Sequence, residues 1–224
     1  MAQLPLDLGH RSAMGAADFL VAPGNADAVT WLDAWPEWPA PALVLFGPPG
    51  CGKSHLSQLW LARTGGRAVD GGALDPALVP RLAGTALVVD HADRISGHGA
   101  QERALLHLYN LAREEGGHLL LLAEQAPINW VLRLPDLRSR LLAAPAVGMA
   151  APDDALLMAV LVKLFADRQI RVGTDVVAWL VTHTERSFDA ARHAVDRLDR
   201  AALAAKRAIT VPFAKSVLLP HSGG

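Results

Sequence analysis

The 224-residue chain has a single cysteine, Cys51, so no disulfide can form within it. One thiol suits a reducing compartment, and the expected location is the cytoplasm. A surplus of either charge is missing too. Lys and Arg number 21 and Asp and Glu 22, a net charge of −1. A free-standing nucleic-acid binder is more often plainly basic, so direct sequence-specific DNA binding is not expected. Aromatic residues make up only 5%, and with Ala and Leu abundant this favours helices over an all-β fold. Leu119–Ala123 is a strongly apolar run, far short of the roughly 18 residues a membrane helix needs. The opening MAQLPLDLGHR lacks the basic start and apolar stretch of a secretory signal. The nine histidines show no metal-ligand spacing, so no protein-cage metal site is expected. What is present is 51% hydrophobic and 19% charged, which excludes wholesale disorder.

Residues 1–15, with Pro5, Gly9 and Gly15, read as an extended arm. Ala26–Trp35 can form a short helix before Pro36, and Pro39 and Pro41 stiffen the connector. From there apolar runs alternate with helical patterns. Strands are expected at Ala42–Phe46, Arg67–Asp70, Ala86–Asp90, His118–Ala123 and Ala146–Met149. Helices are expected at Gly52–Arg63, Pro76–Leu82, Gln101–Glu115 and Asp136–Ala143. Continuous apolar strands alternating with helices imply a parallel α/β sheet sandwiched by helices. After Ala151-Pro152 only helical periods follow, at Asp153–Arg168, Thr174–Thr182, Ser187–Ala205 and Val211–Leu219. The expected organisation is an arm at 1–15, an α/β domain at 16–150, a small all-helical lid at 151–219 and a tail at 220–224.

Gly47-Pro48-Pro49-Gly50-Cys51-Gly52-Lys53-Ser54 fits G-x-x-x-x-G-K-[ST] at every fixed position, between an apolar strand and a helix. The glycines let the backbone curl so that its N–H groups point at phosphate oxygens, and the helix N-terminus adds positive partial charge. Lys53 reaches the outer phosphates and the Ser54 hydroxyl ligates Mg²⁺, so ATP or ADP with Mg²⁺ is the expected cofactor. His55 follows and is counted with the loop. Leu87-Val88-Val89-Asp90 ends an apolar strand in a carboxylate suited to the same metal. The next residue is His91, where hydrolytic ATPases of this type usually carry a carboxylate. Vigorous hydrolysis by the chain alone is therefore not expected, although Asp93 lies nearby. Cys51 occupies a variable loop position and reads as a small residue that fits.

These features suggest an AAA+ ATPase. Leu134-Pro135-Asp136-Leu137-Arg138-Ser139-Arg140-Leu141, Asp196-Arg197-Leu198-Asp199-Arg200-Ala201 and Ile209-Thr210-Val211-Pro212-Phe213-Ala214-Lys215 narrow this. They resemble the Hda group of DnaA-related regulators over nearly the whole chain. Phe19 and Asn25-Ala26 resemble the segment that cups the adenine in that family. The resemblance implies a negative regulator of replication initiation that lacks a DNA-binding domain. It would bind the DNA polymerase III sliding clamp (β subunit) and stimulate ATP hydrolysis by DnaA in trans. Gln3, Leu4, Leu6 and Leu8 resemble a clamp-binding peptide; read alone, the arm can equally fold back on its own domain. Arg140 aligns with the arginine finger that one AAA+ subunit inserts into its neighbour's site; the plainer alternative is a surface arginine paired with Asp136. Arg138, on another face of the helix, is the natural control. The position of a nucleotide-contacting lid arginine is Asp189, flanked by Arg186 and Arg192, and Glu124 falls at the γ-phosphate sensor. A self-contained ATPase such as a DnaC-type helicase loader is the alternative, a DNA-binding initiator fragment the third reading, and a homodimer stays open.

Overall fold

The structure is a computed structural model that describes residues 19–82, 84 and 86–219. The Gln3, Leu4, Leu6 and Leu8 assignment lies outside the described residues. The chain divides into two compact units, Met1–Ala150 and Ala151–Gly224.

The first unit is built on β1 (Ala42–Phe46), β2 (Arg67–Asp70), β3 (Leu87–Asp90), β4 (Leu119–Ala123) and β5 (Ala146–Gly148). They form one sheet in the order β2-β3-β4-β1-β5, and every pairing is parallel. Its helices are α1 (Ala26–Asp33), α2 (Lys53–Thr64), α3 (Val79–Leu82), α4 (Gly99–Glu115) and α5 (Pro135–Ala143). Successive side chains of a strand point to opposite faces, so the unbroken apolar runs feed two separate cores. Val44, Val89, Leu119 and Leu121 pack with Leu105, Leu108, Tyr109, Leu137 and Leu141 of α4 and α5. Leu43, Leu45, Val88, Leu120 and Leu122 pack with Leu32, Leu56 and Trp60 of α1 and α2. Covering both faces is what requires these strands to be apolar throughout.

The second unit holds α6 (Asp154–Asp167), α7 (Thr174–His183), α8 (Phe188–Ala205) and α9 (Val211–Leu218). Leu157, Leu161, Phe165, Leu180, Val195 and Leu198 form its own core. Three N-termini are capped by side chains, Asp153 to the Leu156 N–H, Ser187 to Ala190 and Thr210 to Phe213. Each cap satisfies one otherwise orphaned donor. The expected α/β class with a helical lid is the observed one. Pro76–Leu82 differs in detail: it is a 3₁₀ turn over Pro76–Leu78 followed by the single turn α3.

Candidate functional site

In a parallel sheet the C-terminal ends of all strands share one edge, so the loop after β1, Asp90 at the end of β3 and Glu124 after β4 share it here. The loop 47–52 is fixed at its start by the Gly47 N–H donating to the Ala123 carbonyl, 3.2 Å. A Cβ on Gly47 would lie 2.2 Å from the Met149 carbonyl oxygen, so no other residue fits without moving β5. Pro48, Pro49 and Gly50 carry the turn, and Gly52, at φ 106°, is the N-cap of α2. That left-handed conformation suits glycine alone. The helix consequently begins at Lys53 with its free N–H groups aimed back into the loop.

The Lys53 Nζ donates to the Gly47 carbonyl at 2.7 Å and the Pro48 carbonyl at 3.0 Å, and lies 3.7 Å from Cys51 Sγ. The ammonium is thus held at the centre of the loop. Cys51 is 1% exposed and packs in the α1–α2 core. Ser54 is exposed in the first turn of α2. The donors fit an anionic phosphate with a hard divalent cation: backbone N–H groups, one ammonium, one hydroxyl and the Asp90 carboxylate.

Phe19 and His55 come together, rings stacked at 5.6 Å and 17°. The segment is tied to the sheet by the Ala150 N–H donating to the Gly24 carbonyl, 3.0 Å, one residue past the Met149 carbonyl against Gly47. Asn25 is 3% exposed, but its carboxamide serves the segment itself. Its Oδ1 accepts from the Ala22 N–H at 2.8 Å and its Nδ2 donates to the Leu20 carbonyl at 3.1 Å. It shapes the cup.

Asp90 accepts from the His91 N–H at 2.8 Å. His91 is left-handed, φ 49°, and its Nδ1 is 2.9 Å from Asp70 Oδ2. Asp70 sits beside Asp90 in the β2–β3 register and also accepts from the Gly72 N–H, 2.8 Å. Burial pushes the Asp70 carboxyl up. The His91 and Gly72 hydrogen bonds and the charges of His91 and Arg94 outweigh it and hold the group below its usual range. Asp93 is engaged as well, its Oδ2 accepting from the Glu124 N–H at 2.9 Å. Neither His91 nor Asp93 is thus arranged as a free carboxylate to orient a water.

Arg140, in the last turn of α5, belongs to the sheet face opposite α2. Its guanidinium lies over the Tyr109 ring, 5.6 Å to the centroid, and among the described residues it has no carboxylate partner. The Asp136 pairing allowed by their spacing does not form. Arg138 is exposed. In the second unit Asp189 faces Arg192 at 3.8 Å, and Arg186 pairs with Asp154 at 2.8 Å. Each flanking arginine thus has a carboxylate beside it. Sequence reasoning missed Asp70, Tyr109 and the buried Glu102. The signal for Glu102 was its phase, three residues before Leu105 on the apolar stripe of α4.

Residues 154–218 match the family model described as the Hda lid domain. Domain III of the replication initiation protein DnaA from Thermotoga maritima superimposes with a TM-score of 0.79 at 16% identity, covering 90% of this chain and 93% of that one. AMPPCP-bound DnaA from Aquifex aeolicus gives 0.70 at 16%, covering 84% and 64%. The RuvB branch migration motor of Thermotoga maritima gives 0.64 at 17%, covering 79% and 60%. An uncharacterized protein of Haemophilus influenzae is 30% identical over 131 residues, so the chain spans 57% of that relative with 58% of its own length. The fold is that of the AAA+ ATPases. A DnaA-like fold is thus joined, over residues 154–218, by a segment similar to the Hda lid.

Proposed function

We propose that this Hda-like, DnaA-related chain is a negative regulator of replication initiation that acts in trans on the ATPase of DnaA. The Hda-type lid over residues 154–218 carries the reading. Gly47–Ser54 and Asp90 would hold ATP or ADP with Mg²⁺, with Phe19 and His55 beside the base. AMPPCP bound to the DnaA of Aquifex aeolicus supports an adenine nucleotide. Gln3, Leu4, Leu6 and Leu8 would tether the chain to the sliding clamp as a peptide in a pocketed groove.

Arg140 is assigned to the partner's site. Its helix packs on the sheet face opposite α2, and no carboxylate among the described residues neutralises it. A guanidinium presented to DnaA stabilises the charge that builds on the transferring phosphate; such fingers are worth roughly 10³–10⁵ in rate. The chain's own turnover is slow in this reading, because His91 is tied to Asp70 and Asp93 to the Glu124 backbone. A DnaC-type loader would instead hydrolyse ATP by itself.

The test is hydrolysis by purified DnaA-ATP with clamp-loaded DNA. The chain should accelerate it, and Arg140→Ala should abolish the acceleration while Arg138→Ala keeps it. Equal stimulation by Arg140→Ala would falsify the finger assignment. Brisk turnover of the chain alone with Mg²⁺-ATP would favour the loader. Clamp capture that survives deletion of residues 1–9 would remove the tether.

A further inference from the structure

We propose that helix α4 positions the arginine finger, with Tyr109 holding the Arg140 guanidinium and Glu102 pinning the chain where it enters α5. The inference rests on Arg140 acting in trans on DnaA. Glu102 is 0% exposed. A carboxylate taken out of water is tolerated only when its oxygens are well bonded. Its Oε1 accepts from the Gly97 N–H at 3.0 Å, and its Oε2 from the Arg133 and Leu134 N–H groups, both at 2.9 Å. Leu134 is the N-cap of α5, and its own side chain makes no cap. In a capping box a glutamate inside the helix reaches back to the N-cap N–H. Here a glutamate from a different helix, more than 30 residues upstream, performs that task.

Tyr109 lies seven residues after Glu102, two turns along the same face of α4. It is 5% exposed, so its ring is a fixed surface. The Arg140 guanidinium is 5.6 Å from its centroid, within the reach at which a cation is drawn to a π face. Leu137, between these two contacts, and Leu141, just beyond the second, anchor α5 in the core. The nine-residue helix is therefore held at its entry by Glu102, along its length by two leucines and at its exit by Tyr109. An arginine free in solvent gives up extensive rotamer freedom on docking; one already laid on an aromatic ring gives up less. Tyr109 and Glu102 are positioning residues, since neither touches the reacting phosphate.

The full-length chain is assayed for stimulated hydrolysis by DnaA-ATP on clamp-loaded DNA, with Arg140→Ala as reference. Tyr109→Phe keeps the π face and should stimulate as the parent does. Tyr109→Leu keeps apolar bulk without the face. Its maximal stimulated rate should fall about 10²-fold, the scale of a small misplacement, with the concentration for half-maximal stimulation unchanged. In an Arg140→Ala background Tyr109→Leu should change nothing further. Glu102→Gln, with one acceptor oxygen instead of two, should lower the maximal rate in the same way. Parental stimulation by Tyr109→Leu or Glu102→Gln, with Arg140→Ala inactive, overturns that residue's positioning and leaves the finger intact. Parental stimulation by Arg140→Ala defeats the underlying reading instead. Should Tyr109→Leu not fold, the contact is read directly, because Tyr109 is the only tyrosine. Burial pushes its hydroxyl up, and the Arg140 and Arg113 charges partly offset this. Arg140→Gln should move its spectroscopic titration to higher pH, and an unmoved titration overturns the contact.

Discussion

His91 shows how one substitution changes the character of a site. A carboxylate after Asp90 would face solvent and a phosphate; the imidazole turns to Asp70 on the neighbouring strand. Asp70 titrates below its usual range. A carboxyl depressed by folding contributes stability above its unfolded value and loses it as pH falls through its folded value. On the carboxyl side the Asp70 contribution is therefore present at neutral pH and fades as pH falls from the ordinary carboxylate value through its lowered folded one. An NMR titration should place the Asp70 midpoint low, and His91→Gln should raise it by removing the first of the stabilising contacts. The phosphate loop was legible from residues alone because its chemistry is local: eight consecutive positions hold both the cradle and the lysine. Asp70, Glu102 and Tyr109 were not legible, because each acquires its role from a partner 21 to 32 positions away. Asn25 spends its carboxamide on the backbone of its own segment, a role the sequence alone does not show.

At the scale of elements, β1 and β2 lie where their runs placed them, Ala42–Phe46 and Arg67–Asp70. The other strands begin or end one residue inside the expected limits. Apolar runs closed by Gly, Asp or Pro leave little freedom in where a buried strand stops. Helix α4 starts two residues early, at Gly99, because the Glu102 contacts order its first turn. The 3₁₀ turn Ala92–Ile95 went unread because it follows a non-glycine residue at positive φ, which no local pattern announces. Leu121, in the central strand, is fully buried in the α4–α5 core. Leu121→Ala should cost about 2–5 kcal/mol in denaturant unfolding. Gly47→Ala forces a Cβ against a backbone oxygen and should destabilise the chain by about 1–3 kcal/mol while weakening nucleotide binding.

At the scale of the molecule, strand order was not readable: periodicity reports which faces are buried and is silent about neighbours. The change from mixed to purely helical pattern near residue 151 was readable, because period and composition shift together. Each unit closes a core of its own. A fragment beginning at Ala151 should therefore retain helical circular dichroism and unfold cooperatively, though weakly, as small cores do. The chain has one thiol, and it lies sealed beneath the phosphate loop, with the Lys53 ammonium 3.7 Å away. A thiol reagent reaches it only when that loop opens. Its alkylation is therefore a stopwatch for the loop, slow in the free chain and slower with Mg²⁺-nucleotide, and it times one molecular event with a single native reporter.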